Sequence, residues 1–289
     1  MKNIGLWLVL WLGFAGAVSA QVTAQVLLDQ DQFLPDESIP VKVRIVNHSG
    51  QTLRFGKENW LSYSVEAHDG FIVLKNGDGP LAHDFEIKAA EMATTRSDLV
   101  PYFNITKPGR YSITATVRIK DWNQEVTSAP KYFDVIRGTK FWEQAFGMPQ
   151  SPTNHGQPEV RKYILLQATL MKQTKLYLRL TDATETKSLR VFPIGPIISF
   201  SDPQMRVDQL SNLHLLYQDG AHVYNYTMFN PDGDALVRQT YFYSNSAPHL
   251  KVDDAGNATI VGGIRHLADN DLPTTRKSIL TNDLPLPVP

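Results

Sequence analysis

A strict alternation of apolar and polar residues is the feature that most constrains the fold of this chain. It is clearest at residues 111–120, where Tyr111, Ile113 and the following odd positions are apolar and the even positions are serine, threonine, arginine or lysine. A period of two puts all the apolar side chains on one face of a strand. The same alternation recurs at residues 41–45 and 63–67, and further strand signals occur at residues 163–172, 175–181, 189–194 and 235–243. We therefore predict an all-β protein.

The first twenty residues have the pattern of a secretory signal peptide. Lys2 precedes an apolar run over residues 4–18, and the segment closes with Ala at position 20 in an A-x-A-like site. The run is shorter than the ~20 residues of a spanning helix. We expect cleavage before Gln21, export to the periplasm or the outside, and no stable membrane insertion. A retained N-terminal anchor is the alternative.

Composition limits the chemistry. The chain has no cysteine, which excludes disulfides, thiolate metal sites and lipid attachment at cysteine. A cysteine-free exported chain of this size is more typical of a bacterium. Without Lys2 the 28 basic residues fall to 27 against 29 acidic ones, a formal charge of −2. This balance predicts no nucleic-acid partner. We interpret the basic residues between Arg161 and Arg190, which include Arg179 and Lys187, as a solvated strand face.

Length suggests two domains, since single cores rarely exceed about 250 residues. We predict a signal peptide at residues 1–20, a β-sandwich at 21–137, an aromatic linker at 138–158, a second β domain at 159–268 and a Pro-rich tail at 269–289. Within the linker, the spacing of Phe141, Trp142, Ala145 and Phe146 predicts one amphipathic helical turn, and burial between the two domains is its expected role.

The N-terminal part carries a resemblance to a known fold. Residues 107–110 read Lys-Pro-Gly-Arg, which predicts a type II turn with Gly109 at positive φ before the long alternating strand. Residues 32–39 precede the predicted strand at residues 41–47 and have the pattern of the first corner of a β-sandwich. This part resembles the immunoglobulin-like and macroglobulin-like sandwich domains of exported bacterial proteins. The resemblance implies a sandwich fold and no particular activity.

An internal echo organises the second domain. Asp208 and Asn212 recur as Asp253 and Asn257, both 45 residues later, and each Asn precedes a short apolar run. Repeated Asx-rich turns before short strands resemble blades of sialidase-type propeller proteins. The region holds about two such units, whereas a closed propeller needs at least four. We therefore expect antiparallel, propeller-blade-like hairpins that do not close into a ring.

The dipeptide Asp219-Gly220 predicts a two-residue hairpin turn inside the first unit. That turn would pair Tyr217 with His222 and Leu215 with Tyr224. It would also place Tyr217, Tyr224 and Tyr226 on the same face of the sheet. A second turn is predicted at residues 230–233, Asn-Pro-Asp-Gly.

No catalytic residue, metal site or cofactor is predicted. There is no Gly-x-Ser-x-Gly elbow, and no histidine pair has zinc spacing. The aspartates of residues 29–31 and 230–234 read as turn formers rather than calcium ligands. A pair of carboxylates distant in sequence stays open, so a carbohydrate-active hydrolase using such a pair in the second domain is one alternative function.

Aromatic residues are the candidates for recognition, because rings with a polar tip suit sugar or protein contacts; filling the core is the competing interpretation. The candidate binding residues are Tyr224, Tyr226, Tyr241, Tyr243, Phe141 and Trp142. Our leading hypothesis is an exported, non-enzymatic binding or structural protein that contacts a protein or a cell-envelope glycan, through loops or a cleft between the domains beside Phe141 and Trp142. A periplasmic assembly partner that docks through its tail is a further alternative.

Overall fold

The computed structural model describes residues 21–56, 59–77, 84–148, 159–171, 173–198, 201–253 and 258–272. These residues form antiparallel sheets almost throughout, with one turn of 3-10 helix at Lys120–Trp122. The all-β prediction is confirmed. In this part of the chain no helix is long and apolar enough to cross a membrane.

The N-terminal region, residues 21–137, contributes the first ten strands among the described residues. They are β1 (Val22–Leu28), β2 (Gln32–Phe33), β3 (Pro40–Asn47), β4 (Leu53–Phe55), β5 (Leu61–Ala67), β6 (Phe85–Ile87), β7 (Met92–Asp98), β8 (Gly109–Ile119), β9 (Gln124–Thr127) and β10 (Lys131–Val135). One sheet has the order β1-β3-β7 and another the order β2-β10-β8-β5, with β9 on β8. The two sheets enclose one hydrophobic core.

Strand β8 realises the predicted alternation. Its odd positions from Tyr111 to Ile119 are buried in that core, and its even positions are mostly exposed or half-buried. The turn before it differs from the prediction. Gly109 is not at positive φ; it lies inside β8 opposite Val135. A Cβ at this position would lie 2.5 Å from Oδ2 of Asp69, so the Asp69 side chain would have to move to accommodate it.

The C-terminal region, residues 139–272, contributes eleven strands among the described residues. They are β11 (Thr139–Gly147), β12 (Val160–Leu170), β13 (Gln173–Asp182), β14 (Ser188–Pro196), β15 (Gln204–Val207), β16 (Leu213–Gly220), β17 (Val223–Phe229), β18 (Ala235–Phe242), β19 (His249–Val252), β20 (Ala258–Val261) and β21 (Ile264–His266). One sheet has the order β11-β12-β13-β14, and the next has the order β15-β16-β17-β18-β21.

These two sheets of the C-terminal region pack on each other. Their shared core joins Tyr163, Leu165 and Leu178 from the first sheet to Leu215 and Phe229 from the second. Successive strands are antiparallel neighbours from β11 to β14 and from β15 to β18, and β21 then pairs with β18. Each described sheet has two free edges, so none closes into a ring, as expected.

The sequence echo corresponds to two hairpins. Strands β15 and β16 pair Val207 with Leu213 around residues 208–212, and β19 and β20 pair Val252 with Ala258 around residues 253–257. The paired positions are again 45 residues apart. Residues 254–257, which include Asn257, lie outside the described residues. The repeat therefore marks two hairpins of the same register that belong to different sheets.

The predicted register of the β16–β17 hairpin is wrong. The turn residues are Ala221 and His222, because Gly220 pairs with Val223. Asp219 is an extra residue on β16 between the pairs of Gln218 and Gly220, a β-bulge. One extra residue reverses which side chains share a face. Tyr217 therefore lies opposite Asn225, not beside His222.

The predicted helical turn at Phe141–Phe146 is also wrong, because β11 is a strand and pairs with β12 over residues 139–147. Residues 149–158 of the predicted linker lie outside the described residues. The contact between the two regions is made by Leu34 instead. It packs against Ala168, Tyr177 and Val191, and Gly138 lies so close that a Cβ there would be 2.9 Å from Leu34 Cδ2.

Only the beginning of the predicted tail is described. Asp271 is buried and its Oδ2 lies 2.7 Å from Nη2 of Arg265. Leu272 forms a β-bridge with Arg238 of β18. Residues 269–272 are thus part of the folded C-terminal region. The prediction for residues 273–289 lies outside the described part of the chain.

Candidate functional site

The four candidate tyrosines lie near one another on the outer side of the second C-terminal sheet. Tyr224 of β17 is the cross-strand partner of Tyr241 of β18, and Tyr243 follows two residues later. Tyr226 shares its face with Leu216, its partner on β16. The corrected register thus separates Tyr224 and Tyr226 from Tyr217, which points into the shared core.

Their exposure is mixed, because most of these rings are engaged by the protein itself. Tyr226 is 7% exposed, and Tyr224 and Tyr241 are half-buried. The Tyr241 hydroxyl donates to Oε1 of Gln239 at 2.7 Å, and the Arg265 guanidinium lies 5.6 Å from its ring centroid. Tyr243, at 49%, is the most exposed of the four.

A chain of hydrogen bonds explains the burial of Tyr226. Its hydroxyl lies 2.8 Å from Nδ1 of His214, and Nε2 of His214 lies 3.1 Å from Oδ2 of Asp208. Burial raises the pKa of Tyr226 to about 12. Burial opposes ionisation of Asp208 as well, but hydrogen bonds from Asn212 and His214 outweigh it and hold the pKa of Asp208 below its usual value. The network ties the Asx turn to the sheet.

Phe141 and Trp142 do not form a shared binding surface. Phe141 is the unpaired residue of a bulge in β11 and is exposed, whereas Trp142 packs on the shared core of the C-terminal region. Neither residue lines the cleft between the two regions. That cleft runs instead beside β13 and β14.

The hydrolase alternative needs a carboxylate pair with a raised pKa on one member. Glu143 and Glu185 lie near each other, but both form ion pairs with Lys140 and Lys162. Nζ of Lys162 lies 2.7 Å from Glu185, and Nζ of Lys140 lies 2.6 Å from Glu143 and 3.6 Å from Glu185. The hydrogen bond from Lys162 lowers the pKa of Glu185, the opposite of what a general acid requires. This pair gives the alternative no support.

One wall of the cleft is built by a tight turn after β2. The Glu37 N–H donates to the Leu34 carbonyl oxygen at 3.1 Å, with Pro35 and Asp36 between them. Proline presets the second position of a type II turn, and Asp36 takes the positive φ of the third, +62°. The turn buries Leu34 against the C-terminal region and turns the Asp36 carboxylate towards β14.

Glu37 lies beneath this turn at the contact between the regions. Its carboxylate accepts hydrogen bonds from the Leu34 N–H at 2.7 Å and from Nε2 of Gln30 at 3.1 Å. It is 3% exposed, and burial raises its pKa to about 7 despite those bonds. The hydroxyl of Tyr177, in the same contact, is buried and has no hydrogen-bond partner among the described residues. Burial raises the pKa of the Tyr177 hydroxyl, and the charge of Glu37 raises it further.

The opposite wall comes from β13, β14 and the turn that joins them. The Ser188 hydroxyl donates to Oδ2 of Asp36 at 2.6 Å and accepts from Nε of Arg179 at 3.0 Å. The joining turn is fixed by Asp182, whose carboxylate accepts from Thr184, Thr186 and the Lys187 N–H. Those bonds, led by the Thr184 hydroxyl, lower the pKa of Asp182 to about 2. Thr186 and Lys187 are thereby held at the mouth of the cleft.

The resulting cavity has a volume of about 760 Å3, within the range of about 300–1,000 Å3 typical of ligand sites. Its lining is mostly polar. We call this cavity the cleft, defined by Pro35, Asp36, Asn76, Val100, Phe103, Asn104, Ile105, Thr106, Arg179, Thr186, Lys187 and Ser188. Amides, hydroxyls and two cations against one carboxylate can hold a polar or anionic ligand by hydrogen bonds.

The polar groups of the cleft are hydroxyls, amides, two cations and one carboxylate. Within the described ranges, no group of three or more histidine, aspartate or glutamate side chains converges as metal ligands would. The cleft contains no histidine, and its one carboxylate is engaged by Ser188. Its arrangement is suited to non-covalent recognition.

Sequence reasoning missed the cleft residues. Arg179 and Lys187 were interpreted as part of a solvated face, whereas Arg179 is half-buried beside Asp36, 4.0 Å away. Asp36 could have been singled out only from its place after Pro35, because an acidic residue at the third position of a Pro-led turn is compatible with positive φ. Nothing local connects it with a strand 152 residues later.

No protein family model, no curated protein and no solved structure matches this chain. The fold by itself defines an all-β protein of several antiparallel sheets without ring closure in its described part. Function therefore has to be argued from the geometry of the cleft and its surroundings.

Proposed function

We propose that the protein is an exported, non-enzymatic binding protein that contacts a protein or a cell-envelope glycan in the cleft. The observation that carries this proposal is the polar cavity of about 760 Å3 between the two regions. Its walls are joined by the hydrogen bond from Ser188 to Asp36 and by the buried Leu34. A site fixed before binding loses less conformational entropy when a ligand enters.

Export rests on the signal peptide predicted at residues 1–20, which lie outside the described part of the chain. The fold is compatible with cleavage before Gln21. Strand β1 begins at Val22, and the Gln21 carbonyl oxygen accepts a hydrogen bond from the His48 N–H at 2.8 Å. Cleavage before Gln21 would leave strand β1 whole. N-terminal sequencing of protein recovered from a bacterial periplasm should begin at Gln21.

Capture from a fractionated bacterial envelope tests the binding function. We expect immobilised protein to retain either a protease-sensitive or a glycosidase-sensitive component. The double variant Arg179→Ala/Lys187→Ala removes both cations of the cleft and should lose that component. Lys251→Ala, an exposed lysine on β19, is the matched control and should retain it. Equal capture by the cleft variant, or no capture by the unaltered protein, would refute the proposal.

A further inference from the structure

A run of exposed apolar side chains borders the cleft. Phe71 is 46% exposed, Ile72 87% and Leu74 59%. A contiguous exposed apolar patch often marks a surface that binds a partner. We call residues 71–74 the apolar segment.

The C-terminal end of the apolar segment is held by backbone contacts. The Leu74 carbonyl oxygen accepts from the Asn104 N–H at 2.9 Å, and the Asn76 N–H donates to the Tyr102 carbonyl oxygen at 2.7 Å. Lys75 adds a β-bridge to Phe103. Leu74 is therefore presented from an ordered backbone, which lowers the entropy lost when a partner covers it.

A small depression lies within the apolar segment. Its volume is about 160 Å3, and Thr106, Lys107 and Tyr111 complete its wall. Nζ of Lys107 lies 4.1 Å from the centroid of the Phe71 ring. An apolar cavity of about 150 Å3 accepts a benzene molecule. The depression is thus large enough for one aromatic or branched aliphatic side chain.

The depression and the cleft form one continuous surface, because Asn104 and Thr106 line both. Their combined lining carries three cations, Lys107, Arg179 and Lys187, and a single carboxylate, Asp36, which Ser188 engages. Lys187 forms no ion pair with any described residue. The excess of positive charge favours a partner that brings carboxylates.

We infer that the occupant of this surface is a protein segment that inserts one aromatic or branched aliphatic side chain into the depression and places a neighbouring carboxylate in the cleft. The inference rests on the proposed binding function and chooses between its two ligand classes. An apolar centre beside a polar rim is the anatomy of a protein–protein interface. Sugar hydroxyls would lose hydrogen bonds to water against Ile72 and Leu74, which cannot replace them.

Selection from a phage-displayed library of random peptides tests the inference on the purified protein. Enriched peptides should share an apolar residue with an aspartate or glutamate within a few positions. Binding of a synthetic peptide of that sequence should weaken by about tenfold or more in Ile72→Ser/Leu74→Ser, the effect of losing a central apolar contact. Lys187→Glu should weaken it similarly, and added salt should reduce binding to the unaltered protein.

Leu210→Ser is the matched control, because Leu210 is 68% exposed and lines neither the cleft nor the depression. It should bind the peptide as the unaltered protein does. The inference is overturned if no peptide is enriched, if enriched peptides lack the acidic residue, or if the apolar-segment variant binds them equally well. Binding of neutral envelope oligosaccharides that depends on Arg179 and Lys187 but not on Ile72 would overturn the protein partner while leaving the cleft function intact.

Discussion

The hydroxyl of Ser188 donates a hydrogen bond of 2.6 Å to the carboxylate of Asp36, across the boundary between the N-terminal and C-terminal regions. The two residues are 152 positions apart in sequence. Because Arg179 also donates to Ser188, the contact forms a short polar chain along one wall of the cleft. The width of the cleft therefore depends on a bond that neither region could form alone.

Substitution of Ser188 by alanine should destabilise the protein modestly. The lost hydrogen bond contributes about 1 kcal/mol to the free energy of unfolding, which lowers the Tm of a chain of this size by about 2–4 °C. Ligand capture should fall as well, since Asp36 is released into the cleft. Differential scanning calorimetry and the envelope capture assay measure the two effects. Ser64→Ala, at an exposed position of β5, is the control and should change neither.

Substitution of Glu37 by glutamine should alter the dependence of stability on pH. Burial raises the pKa of Glu37 from 4.5 to about 7, so the folded state keeps a proton that the unfolded state releases. The free energy of unfolding of the unaltered protein should therefore fall between pH 4.5 and about 7 relative to Glu37→Gln and stay lower above that range. The fall in the free energy of unfolding across this pH range, relative to Glu37→Gln, is at most about 3 kcal/mol.

Urea denaturation across that pH range measures the difference between the two proteins. Carboxylates with lowered pKa, such as Asp182, lose stability as pH falls, but they occur in both proteins and cancel. Glu66→Gln, at an exposed position of β5, should follow the unaltered protein. Parallel curves for Glu37→Gln and the unaltered protein would contradict the assigned burial of a protonated carboxyl group.

Substitution of Leu34 by alanine should loosen the contact between the two regions. Leu34 is buried against Ala168, Tyr177 and Val191, and truncation of a buried leucine costs about 2–5 kcal/mol. Limited proteolysis should then cut the chain between the regions faster than it cuts the unaltered protein. Leu236→Ala, at an exposed position of β18, should change the free energy of unfolding by less than about 0.5 kcal/mol. Similar proteolysis rates for both variants would show that Leu34 does not hold the regions together.

The tyrosines of the outer face should separate into structural and exposed members. Tyr226→Phe leaves Nδ1 of the buried His214 without its partner, which costs about 1–3 kcal/mol. Tyr243→Ser removes an exposed ring and should change the free energy by less than about 0.5 kcal/mol. Guanidinium denaturation measures both. A larger loss for Tyr243→Ser than for Tyr226→Phe would reverse this assignment.

The local pattern of apolar and polar residues was enough to predict the most regular strands. The alternation around Ile113 predicts both β8 and its buried face, and the echo of Asp208 at Asp253 predicts a repeated turn before a short strand, which the structure forms as two hairpins of equal register. Helical spacing of aromatic residues failed at Trp142, because pairing with β12 supplies hydrogen bonds that a single helical turn lacks. Tertiary context overrides a short apolar period of this kind.

A single residue, Asp219, determines which side chains of the β16–β17 hairpin face the core. Asp219 forms a bulge, and its carboxylate accepts from Nδ2 of Asn225 at 2.6 Å. The Asp-Gly pair is equally compatible with a turn or with this bulge, so the dipeptide alone could not distinguish them. The consequence is large, because one extra residue sends Tyr224 and Tyr226 to the outer face and Tyr217 to the core.

The sequence by itself determined that the chain is built of strands and which side chains of strand β8 are buried, because a period of two is a property of neighbouring residues. Only the tertiary structure decided where a ligand could bind. The cleft combines Asp36, Asn104 and Lys187 from three distant segments. Their approach depends on the packing of Leu34 and on the bond between Ser188 and Asp36, contacts that no local pattern encodes.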